Sequence, residues 1–391
     1  MYKIRLFNSI SDIIKNYLPE DRYTFVTEGD DYDAAIVRSA SLLNTEFSPS
    51  VKAIARAGAG YNNIPVDKCT QAGIVVSNTP GANANAVCET VIAGMLLSSH
   101  RILEGVNWVK TLKGNGAEVL DMVEKGKSQF VGTELRGKTL GVIGVGAVGS
   151  LVANAAQALG MTVLGHDPFI SVQSAWTLSR NVIRANNRDE LIRQSDYISV
   201  HVPTTAQNRN MFNDEMFAMM KPGACLINFS RADIVDTQAL LRALDSGHLA
   251  SYVTDFPVDE VLDHKRVIGI PHLGSSTEES ENNCAAMAAH QIREYLEGGA
   301  IINSLNFPNC GDLPANYKWR VTVLHKNTPN MVSGITRILG ENNGNISNMT
   351  NRSNGDYAST VVEMEEPPSQ EVINRIEQIE GIIRIYMPNR G

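Results

Sequence analysis

The sequence predicts an α/β protein with two doubly wound parallel-sheet lobes and a small α+β domain at its C-terminus. Short apolar strands alternate with helical segments over roughly the first 310 residues, which is typical of βαβ units. A glycine-rich turn near residue 144 separates an apolar strand from a helix, as in sheets that bind dinucleotides. Roughly the last 75 residues have the pattern of a complete βαββαβ domain.

Composition and charge narrow the class of protein. The 391 residues suffice for two or three domains, and 43% hydrophobic with 19% charged residues is ordinary for a soluble protein. A net charge of −8 argues against a surface for nucleic acid or an anionic membrane. We find neither a signal peptide nor a transmembrane stretch. Five scattered cysteines predict reduced cytoplasmic thiols, with no disulfide framework and no metal site.

The first lobe is predicted from four strands, "KIRLF", "AAIVRS", "KAIARAG" and "IVVSNT", and a long helix over residues 83–101. A second series of six strands begins near residue 138, and another helix covers residues 274–299. The turn-rich segment "FPNCGDLPAN" precedes the C-terminal domain. The predicted domains are residues 1–90 with 278–308, residues 91–277, and residues 317–391.

The stretch "GVIGVGAVGS" predicts a Rossmann lobe that binds a dinucleotide. It places Gly144, Gly146 and Gly149 in a GxGxxG pattern between an apolar strand and a helix. The first glycine makes the tight turn, the second lets the backbone approach a pyrophosphate, and the third lets helix and strand pack closely. The free N–H groups near Ala147 and Val148 are expected to point at the phosphates.

Asp167 indicates which dinucleotide is bound. It lies 18 residues after Gly149, at the end of the second strand of this series. A carboxylate there accepts hydrogen bonds from the adenosine ribose hydroxyls and repels a 2′-phosphate. The sequence therefore favours NAD over NADP. The alternative is a tight βα turn that binds no ligand.

Candidate catalytic groups follow the later strands of this series. Arg231, an acidic pair at Asp259-Glu260, and His272 each come after a strand, so the parallel strands bring them to one edge. Oxidation of an alcohol beside a carboxylate needs a histidine for the proton, an acid to orient it and an arginine for the carboxylate. The alternative for Arg231 is a local ion pair with Asp233 or Asp236.

At these residues the chain resembles the D-isomer-specific 2-hydroxyacid dehydrogenases. "NFSRADIVDTQALLRALDSGHLA" is similar to the family's arginine segment, and "PHLGSSTEE" to its histidine segment. The resemblance covers nearly all of roughly the first 305 residues. It implies a flavodoxin-like substrate lobe beside the Rossmann lobe. It implies Arg231, Glu260 and His272 as the catalytic set. It also implies cofactor contacts at Ala59, Ala147, Val148, Asp167, Val202, Phe229, Ser230, Arg231, Asp255, His272 and Gly274.

Two positions depart from the family pattern. "DFPVDE" replaces the usual Asp-Val-Phe-x-x-Glu-Pro; ungapped spacing from Arg231 selects Glu260 as the acid, whereas anchoring on Phe256-Pro257 selects Asp259. Ala232 stands where the family usually has glycine. If that backbone needs a positive φ, the alanine is strained by about 1 kcal/mol.

Within the family, "AAIVRSAS" and "AIARAGAGYNNIP" resemble members that oxidise 3-phosphoglycerate to 3-phosphooxypyruvate at the start of L-serine synthesis. The substrate-binding residues predicted on this basis are Arg38, Ser39, Arg56, Ala57, Gly58 and Arg231. Arg38 and Arg56 would bind the phosphate, and the N–H groups of Ala57 and Gly58 would form an anion nest. Three alternatives stay open: surface arginines without a ligand, a glyoxylate or hydroxypyruvate reductase, and a non-catalytic NAD-sensing scaffold.

The C-terminal unit resembles an ACT domain, an effector-binding module. His325, Asn327 and Asn345 match positions that hold serine in serine-inhibited members, so L-serine is the predicted effector and a homodimer or homotetramer the predicted assembly. Asn330 stands where glycine usually follows proline, and asparagine tolerates left-handed backbone better than most residues. The alternative is a domain that only assembles subunits.

Overall fold

The computed structural model describes residues 1–314, 316–342 and 344–388. Backbone contacts divide the chain into two compact units. The first contains Met1–Asn83 and the chain from Glu278 onward, and the second is the continuous segment Ala84–Thr277. The small C-terminal domain thus falls in the first unit. The first boundary lies at residue 83, whereas the sequence suggested residue 90.

The first unit begins with a five-stranded parallel sheet. Its strands are β1 (Tyr2–Leu6), β2 (Tyr23–Val26), β3 (Ala34–Val37), β4 (Ala53–Arg56) and β5 (Val75–Asn78), and helix α1 (Val66–Gln71) precedes β5. The order β2-β1-β3-β4-β5 is the flavodoxin-like order. Strand β2 was not predicted, because its four residues lie between the charged stretches "PEDR" and "TEGD".

The second unit is built on a seven-stranded parallel sheet. Its strands are β6 (Thr139–Ile143), β7 (Thr162–His166), β8 (Ile183–Arg184), β9 (Tyr197–Val200), β10 (Ala224–Asn228), β11 (Leu249–Thr254) and β12 (Val267–Gly269). Its helices are α2 (Ala84–His100), α3 (Ile102–Thr111), α4 (Val119–Gly126), α5 (Ala147–Ala158), α6 (Val172–Thr177), α7 (Arg188–Gln194), α8 (Asp214–Met219) and α9 (Thr237–Asp245).

The strand order of this sheet positions the site. The order is β8-β7-β6-β9-β10-β11-β12, so the direction of winding reverses between β6 and β9. A doubly wound sheet binds its ligand at this switch point, outside the carboxyl ends of the strands. Six of the seven strands were predicted. The seventh, β8, is a two-residue edge strand, too short to produce a sequence pattern.

The chain returns to the first unit with α10 (Glu278–Gly298). Ala285, Ala289 and Ile292 of this helix are buried in one hydrophobic cluster with Ile4 and Ile36 of the first sheet. The helix that completes the first core is therefore separated from it in sequence by the entire second unit.

The C-terminal domain has the predicted βαββαβ order. Its elements are β13 (Trp319–Lys326), α11 (Met331–Glu341), β14 (Ile346–Asn354), β15 (Tyr357–Met364), α12 (Gln370–Glu377) and β16 (Ile382–Tyr386). The four strands form an antiparallel sheet in the order β14-β15-β13-β16.

Both faces of this small sheet are packed. Val321 and Val323 of β13 share a buried cluster with residues of α11 and α12. Leu324 of β13 and Val361 of β15 lie on the opposite face and join a hydrophobic cluster with Ile4 and Ile36 instead. Strand residues alternate between faces, so one face of the sheet packs against the domain's own helices. The other face packs against the rest of the first unit.

Two arginines add polar contacts between the C-terminal domain and the rest of the first unit. Arg320 is buried with Glu363 at 2.5 Å and donates to the carbonyl oxygen of Gly298 at 2.6 Å. Arg384 donates to the carbonyl oxygens of Val51 at 2.5 Å and Gly73 at 3.2 Å. A buried guanidinium needs such partners to offset its lost hydration.

In the part of the chain that the structure describes, no single helix is long and apolar enough to cross a membrane. Helices α2 and α3 meet that criterion of length and composition only as a pair, and the pair is bent by 65°.

Candidate active site

The three glycines of the predicted phosphate loop occupy three different environments. Gly144 follows β6 with φ +86°, and an added Cβ would lie 2.6 Å from the carbonyl oxygen of His201. An added Cβ at Gly149 would lie 1.9 Å from the carbonyl oxygen of Gly144. At Gly146, by contrast, an added Cβ meets nothing within 4 Å. The first and third glycines are needed by the fold, whereas the second leaves open space for a ligand.

Asp167 is held beside this loop. Its Oδ2 accepts a hydrogen bond from Val145 N at 3.0 Å, and its Oδ1 accepts one from Phe169 N at 2.9 Å. The carboxylate therefore follows β7 in a fixed orientation next to the glycine turn. This placement suits a hydrogen bond with the ribose of a dinucleotide.

The ends of β10 and β11 are joined by a buried polar network. Asn228 donates from Nδ2 to the carbonyl oxygen of Arg231 at 2.8 Å, and its Oδ1 accepts from Ser230 N at 3.1 Å. Thr254 donates from its hydroxyl to the Asn228 carbonyl oxygen at 2.9 Å. Both Asn228 and Thr254 have no exposed surface. The backbone that carries Arg231 is thus held by Asn228 and Thr254, two side chains that were not predicted as site residues.

Arg231 does not form the local ion pair considered as its alternative. Asp233 instead pairs with Arg209 at 3.0 Å, and Asp236 caps α9 by accepting from two backbone N–H groups. The exposed guanidinium of Arg231 donates to its neighbour's carbonyl oxygen, Ser230 O, at 2.7 Å. Arg231 follows β10, at the carboxyl end of the sheet.

Ala232 is unstrained. It begins the 3-10 helix Ala232–Ile234 and is not among the non-glycine residues with positive φ. Positive φ occurs at His272 instead, with a value of +46°. A non-glycine residue in this region costs about 1 kcal/mol or more and persists only where its surroundings hold it.

Asp255 is a buried carboxylic acid at the end of β11. It is 3% exposed, and its Oδ1 has no hydrogen-bond partner among the described residues. Burial raises the pKa of Asp255 to about 6, although a backbone hydrogen bond from Gly274 acts in the opposite direction and lowers the pKa. A buried oxygen without a partner suits a ligand that brings an N–H donor, such as the carboxamide of a nicotinamide.

The candidate acids and the histidine follow Asp255 in the chain. Asp259 and Glu260 are both exposed and both belong to the 3-10 turn Asp259–Val261, so either register of the motif stays open. The backbone N–H of His272 donates to the carbonyl oxygens of Asp255 at 3.1 Å and Ile270 at 2.9 Å. The imidazole contacts the ring of Phe256, whose centroid lies 4.4 Å away. Of the other predicted cofactor residues of this unit, Ala147 and Val148 begin α5, and Val202 and Phe229 follow β9 and β10.

The predicted anion nest of the first unit is not formed. Ala57 N donates to Val37 O at 2.8 Å, and Gly58 N donates to the Thr79 hydroxyl at 2.6 Å. Because both N–H groups are used within the protein, they are not offered to a carboxylate. The cofactor contact predicted at Ala59 also lies in this unit, where its carbonyl oxygen accepts from Asn78 Nδ2 at 2.6 Å.

The backbone after β3 is also occupied. The N–H groups of Arg38, Ser39 and Ala40 all converge on the Oδ1 of Asn8, each at 3.0 Å. The Arg38 side chain pairs with Glu281 of α10 at 2.7 Å. Arg56 ends the neighbouring strand β4. The two arginines therefore stand at adjacent strand ends, as predicted, but Arg38 has a carboxylate partner that the sequence did not reveal.

The predicted effector residues differ in accessibility. His325 is 1% exposed, and its ring nitrogens contact Lys326 O and the Thr360 hydroxyl, each at 2.8 Å. The prediction that His325 contacts an effector is therefore wrong for this conformation, because the ring is buried and both nitrogens are used. Asn327 and Asn345 are exposed. Asn330 has φ +68°, a left-handed backbone that asparagine tolerates better than most residues.

Comparison with known proteins shows what the second unit is similar to. Residues 92–274 match the family model described as D-isomer specific 2-hydroxyacid dehydrogenase, NAD binding domain. The segment contains the phosphate loop, Asp167 and the strand ends described above. Open space at Gly146 and the unpartnered Oδ1 of Asp255 fit the dinucleotide. Residues 92–274 are therefore similar to the NAD-binding domain of the D-isomer-specific 2-hydroxyacid dehydrogenases.

The most similar relatives include enzymes called D-3-phosphoglycerate dehydrogenase. That of Synechocystis sp. is 36% identical over 327 residues, covering 79% of this chain and 56% of the relative. That of Bacillus subtilis is 36% identical over 287 residues, covering 71% of this chain and 52% of the relative. The matched part of the chain thus spans about half the length of these curated relatives.

Solved structures agree with the fold. The 3-phosphoglycerate dehydrogenase of Entamoeba histolytica with bound NAD+ has a TM-score of 0.62 and 28% identity, covering 78% of this chain and 98% of that one. A glyoxylate reductase from Paecilomyes thermophila has a TM-score of 0.64 and 26% identity, with the same coverage.

Proposed function

We propose that this chain catalyses the NAD-dependent oxidation of 3-phosphoglycerate to 3-phosphooxypyruvate, the first step of L-serine biosynthesis. The observation that carries the proposal is the set of Arg231, Asp255 and His272 at the strand ends of an NAD-binding domain. Relatives called D-3-phosphoglycerate dehydrogenase, 32–36% identical to this chain, support the choice of substrate.

The proposed roles follow from the chemistry of the side chains. Bound NAD would supply the acceptor for the hydride that leaves the substrate carbon. Arg231 binds the substrate carboxylate and polarises the forming carbonyl. His272 takes the hydroxyl proton. Glu260, or Asp259 in the other register, orients the imidazole and stabilises its protonated form.

Arg38 and Arg56 are the proposed ligands of the substrate phosphate. Because the nearby backbone N–H groups are used within the protein, recognition of the phosphate rests on side chains. The Arg38–Glu281 pair is 38% and 44% exposed, and such exposed pairs contribute at most about 1 kcal/mol. A phosphate dianion can therefore replace Glu281 at the guanidinium, because Arg–phosphate contacts are frequently bidentate.

The proposal is tested by measuring NAD reduction with 3-phosphoglycerate, and NADH oxidation with a panel of 2-oxo acids. The panel contains 3-phosphooxypyruvate, hydroxypyruvate, glyoxylate and 2-oxoglutarate. We expect the phosphorylated acid to have the highest kcat/KM. Preference for glyoxylate or hydroxypyruvate would replace the proposal with the reductase alternative. NAD binding without turnover of any acid would support the scaffold alternative.

The C-terminal βαββαβ domain is proposed to be an ACT domain that binds L-serine through Asn327 and Asn345. Both amide side chains are exposed and suit a zwitterionic ligand. Calorimetry of the wild type with L-serine should give binding heat, and Asn345→Ala should reduce it. His325→Gln is the contrasting variant, which should lower stability more than affinity. No binding heat for the wild type would remove serine as an effector.

We further propose a homodimer or homotetramer in the cytoplasm. Exposed apolar side chains on α3 and α4, such as Val106, Val109 and Leu120, are typical of surfaces that pair with another subunit. Five buried free cysteines support a reducing compartment. Light scattering should give the mass of two or four chains, and the mass of a single chain would contradict the proposed assembly.

A further inference from the structure

One aromatic ring contacts two of the predicted catalytic side chains. The centroid of the Phe256 ring lies 4.4 Å from that of His272, with the planes inclined at 47°. The guanidinium carbon of Arg231 lies 5.4 Å from the same centroid. Arg231 and His272 are far apart in sequence, so Phe256 is a physical link between them.

The backbone of Phe256 is fixed by the network that fixes Arg231. Phe256 N donates to the Thr254 hydroxyl at 3.0 Å, and that hydroxyl donates to Asn228 O at 2.9 Å. Asn228 in turn donates from Nδ2 to Arg231 O at 2.8 Å. Because Asn228 and Thr254 are fully buried, the ring and the arginine backbone are held in register by groups that cannot exchange partners with water.

The backbone of His272 is anchored next to the same ring. Its N–H donates to Asp255 O at 3.1 Å, one residue before Phe256, while its φ is +46°. A positive φ is uncommon for residues other than glycine, although histidine adopts it more often than most. The backbone at His272 sets the direction of the imidazole, and the contact with the Phe256 ring limits the rotation of that imidazole.

We propose that Phe256 is a positioning residue, whose ring holds the Arg231 guanidinium and the His272 imidazole together so that one 2-hydroxy acid can contact both. This inference rests on the proposed function. In the register that selects Glu260, the family pattern has valine at this position, so the aromatic contact is a feature of this chain. A ring face also attracts cations, which favours the imidazolium that forms when His272 takes the proton.

Kinetics of Phe256→Leu and Phe256→Tyr test the positioning role. Leucine keeps apolar volume and removes the ring, whereas tyrosine keeps the ring. For Phe256→Leu we expect kcat/KM for the hydroxy acid to fall about three- to thirty-fold, the size of a cation–π contact, with the Kd for NAD unchanged. Phe256→Tyr should recover most of the loss. Equal kcat/KM for wild type and Phe256→Leu would overturn the proposal.

An NMR titration of 13C-labelled histidine gives a readout that needs no substrate. His272→Asn identifies the His272 signal. The pKa of His272 should be lower in Phe256→Leu than in wild type by about half a pH unit. The other charged groups on the adjoining segments, Arg231, Asp255 and the Asp259-Glu260 turn, are kept in every variant. An unchanged pKa would count against the ring as the cause.

These two readouts separate failure of this inference from failure of the proposed substrate. If the wild type does not oxidise 3-phosphoglycerate, the kinetic comparison is made with whichever 2-oxo acid is reduced, and the NMR comparison is unaffected. If Phe256→Leu does not fold, as judged by its melting temperature with NAD, Phe256→Val replaces it and carries the same expectations.

Discussion

The two parallel sheets differ in what their carboxyl-end groups are bonded to. The seven-stranded sheet of the second unit is called the cofactor sheet below, and the five-stranded sheet is called the first sheet. In the cofactor sheet, Arg231 and His272 are exposed and Asp255 Oδ1 has no partner among the described residues. In the first sheet, the N–H groups after β3 converge on Asn8, and those of Ala57 and Gly58 donate to Val37 O and Thr79. The same kind of edge is open in one sheet and bonded internally in the other.

The comparison teaches how each edge can bind a ligand. Backbone donors and acceptors that are already used cost free energy to release, so the first sheet depends on its arginine side chains. The cofactor sheet offers a loop with open space at Gly146 and a buried carboxyl. We therefore expect substitutions in the cofactor sheet to affect catalysis and NAD binding, and those in the first sheet to affect the choice of substrate.

The largest expected effect is that of His272→Asn. Removing the proposed general base should reduce kcat by about 10³-fold. The NAD Kd, measured by fluorescence titration, should stay within about twofold, because the phosphate loop and Asp167 are unchanged. Turnover equal to that of the wild type would exclude His272 from the mechanism. It would also argue against this edge of the cofactor sheet as the catalytic site.

The next effect is that of Arg38→Gln with Arg56→Gln. We expect kcat/KM for 3-phosphoglycerate to fall about 100-fold and that for glyoxylate less than about threefold, because only the first substrate has a phosphate. Arg22→Gln, which removes an arginine paired with Glu297 at 3.2 Å, is the control. Equal losses with both substrates would remove the phosphate assignment.

The first sheet also offers a change in the opposite direction. Glu281→Gln keeps the shape of the side chain and removes the charge that pairs with Arg38. It should improve KM for 3-phosphoglycerate by about two- to fivefold, within the range of an exposed ion pair.

Two alanine substitutions in the glycine loop should separate stability from binding. Gly149→Ala places a Cβ 1.9 Å from Gly144 O and should lower the free energy of unfolding by about 1–3 kcal/mol. Gly146→Ala has ordinary backbone angles, φ −74° and ψ −153°, and meets nothing within 4 Å. It should melt like the wild type but bind NAD about tenfold more weakly. A tenfold loss of NAD affinity without loss of stability is the result expected only if this space belongs to the cofactor.

The last prediction concerns pH. Burial raises the pKa of Asp255 from 3.8 to about 6, so the folded chain holds this proton more tightly than the unfolded chain. The free energy of unfolding should therefore fall as the pH rises from about 4 to about 6, by about 2 kcal/mol, and then remain lower. Asp255→Asn should lose this dependence. Urea unfolding at several pH values measures it, and parallel curves for the two proteins would contradict it.

Much of the fold and part of the site could be predicted because their signals are local. The glycine pattern, the apolar strands and the residues that follow them lie in continuous stretches. The anion nest at Ala57 and Gly58 could not be excluded, because Thr79 and Val37 reach those N–H groups only in the folded sheet. His325 lies on the face of β13 that also carries Val321 and Val323 and packs against α11 and α12, so its burial depends on contacts between segments distant in sequence. The only sequence signal for Phe256 is its position in "DFPVDE", which departs from the family pattern.

The interruption of the first unit by the second has a consequence for synthesis on the ribosome. The strands up to Asn78 emerge early, but Ala285 and Ile292, which cover Ile4 and Ile36, lie beyond the continuous segment Ala84–Thr277. At about 5–20 residues per second, the nascent sheet waits roughly 10–40 s with an uncovered apolar face. During that interval the second unit can already fold, so we expect a chaperone to act on the N-terminal strands rather than on the second unit.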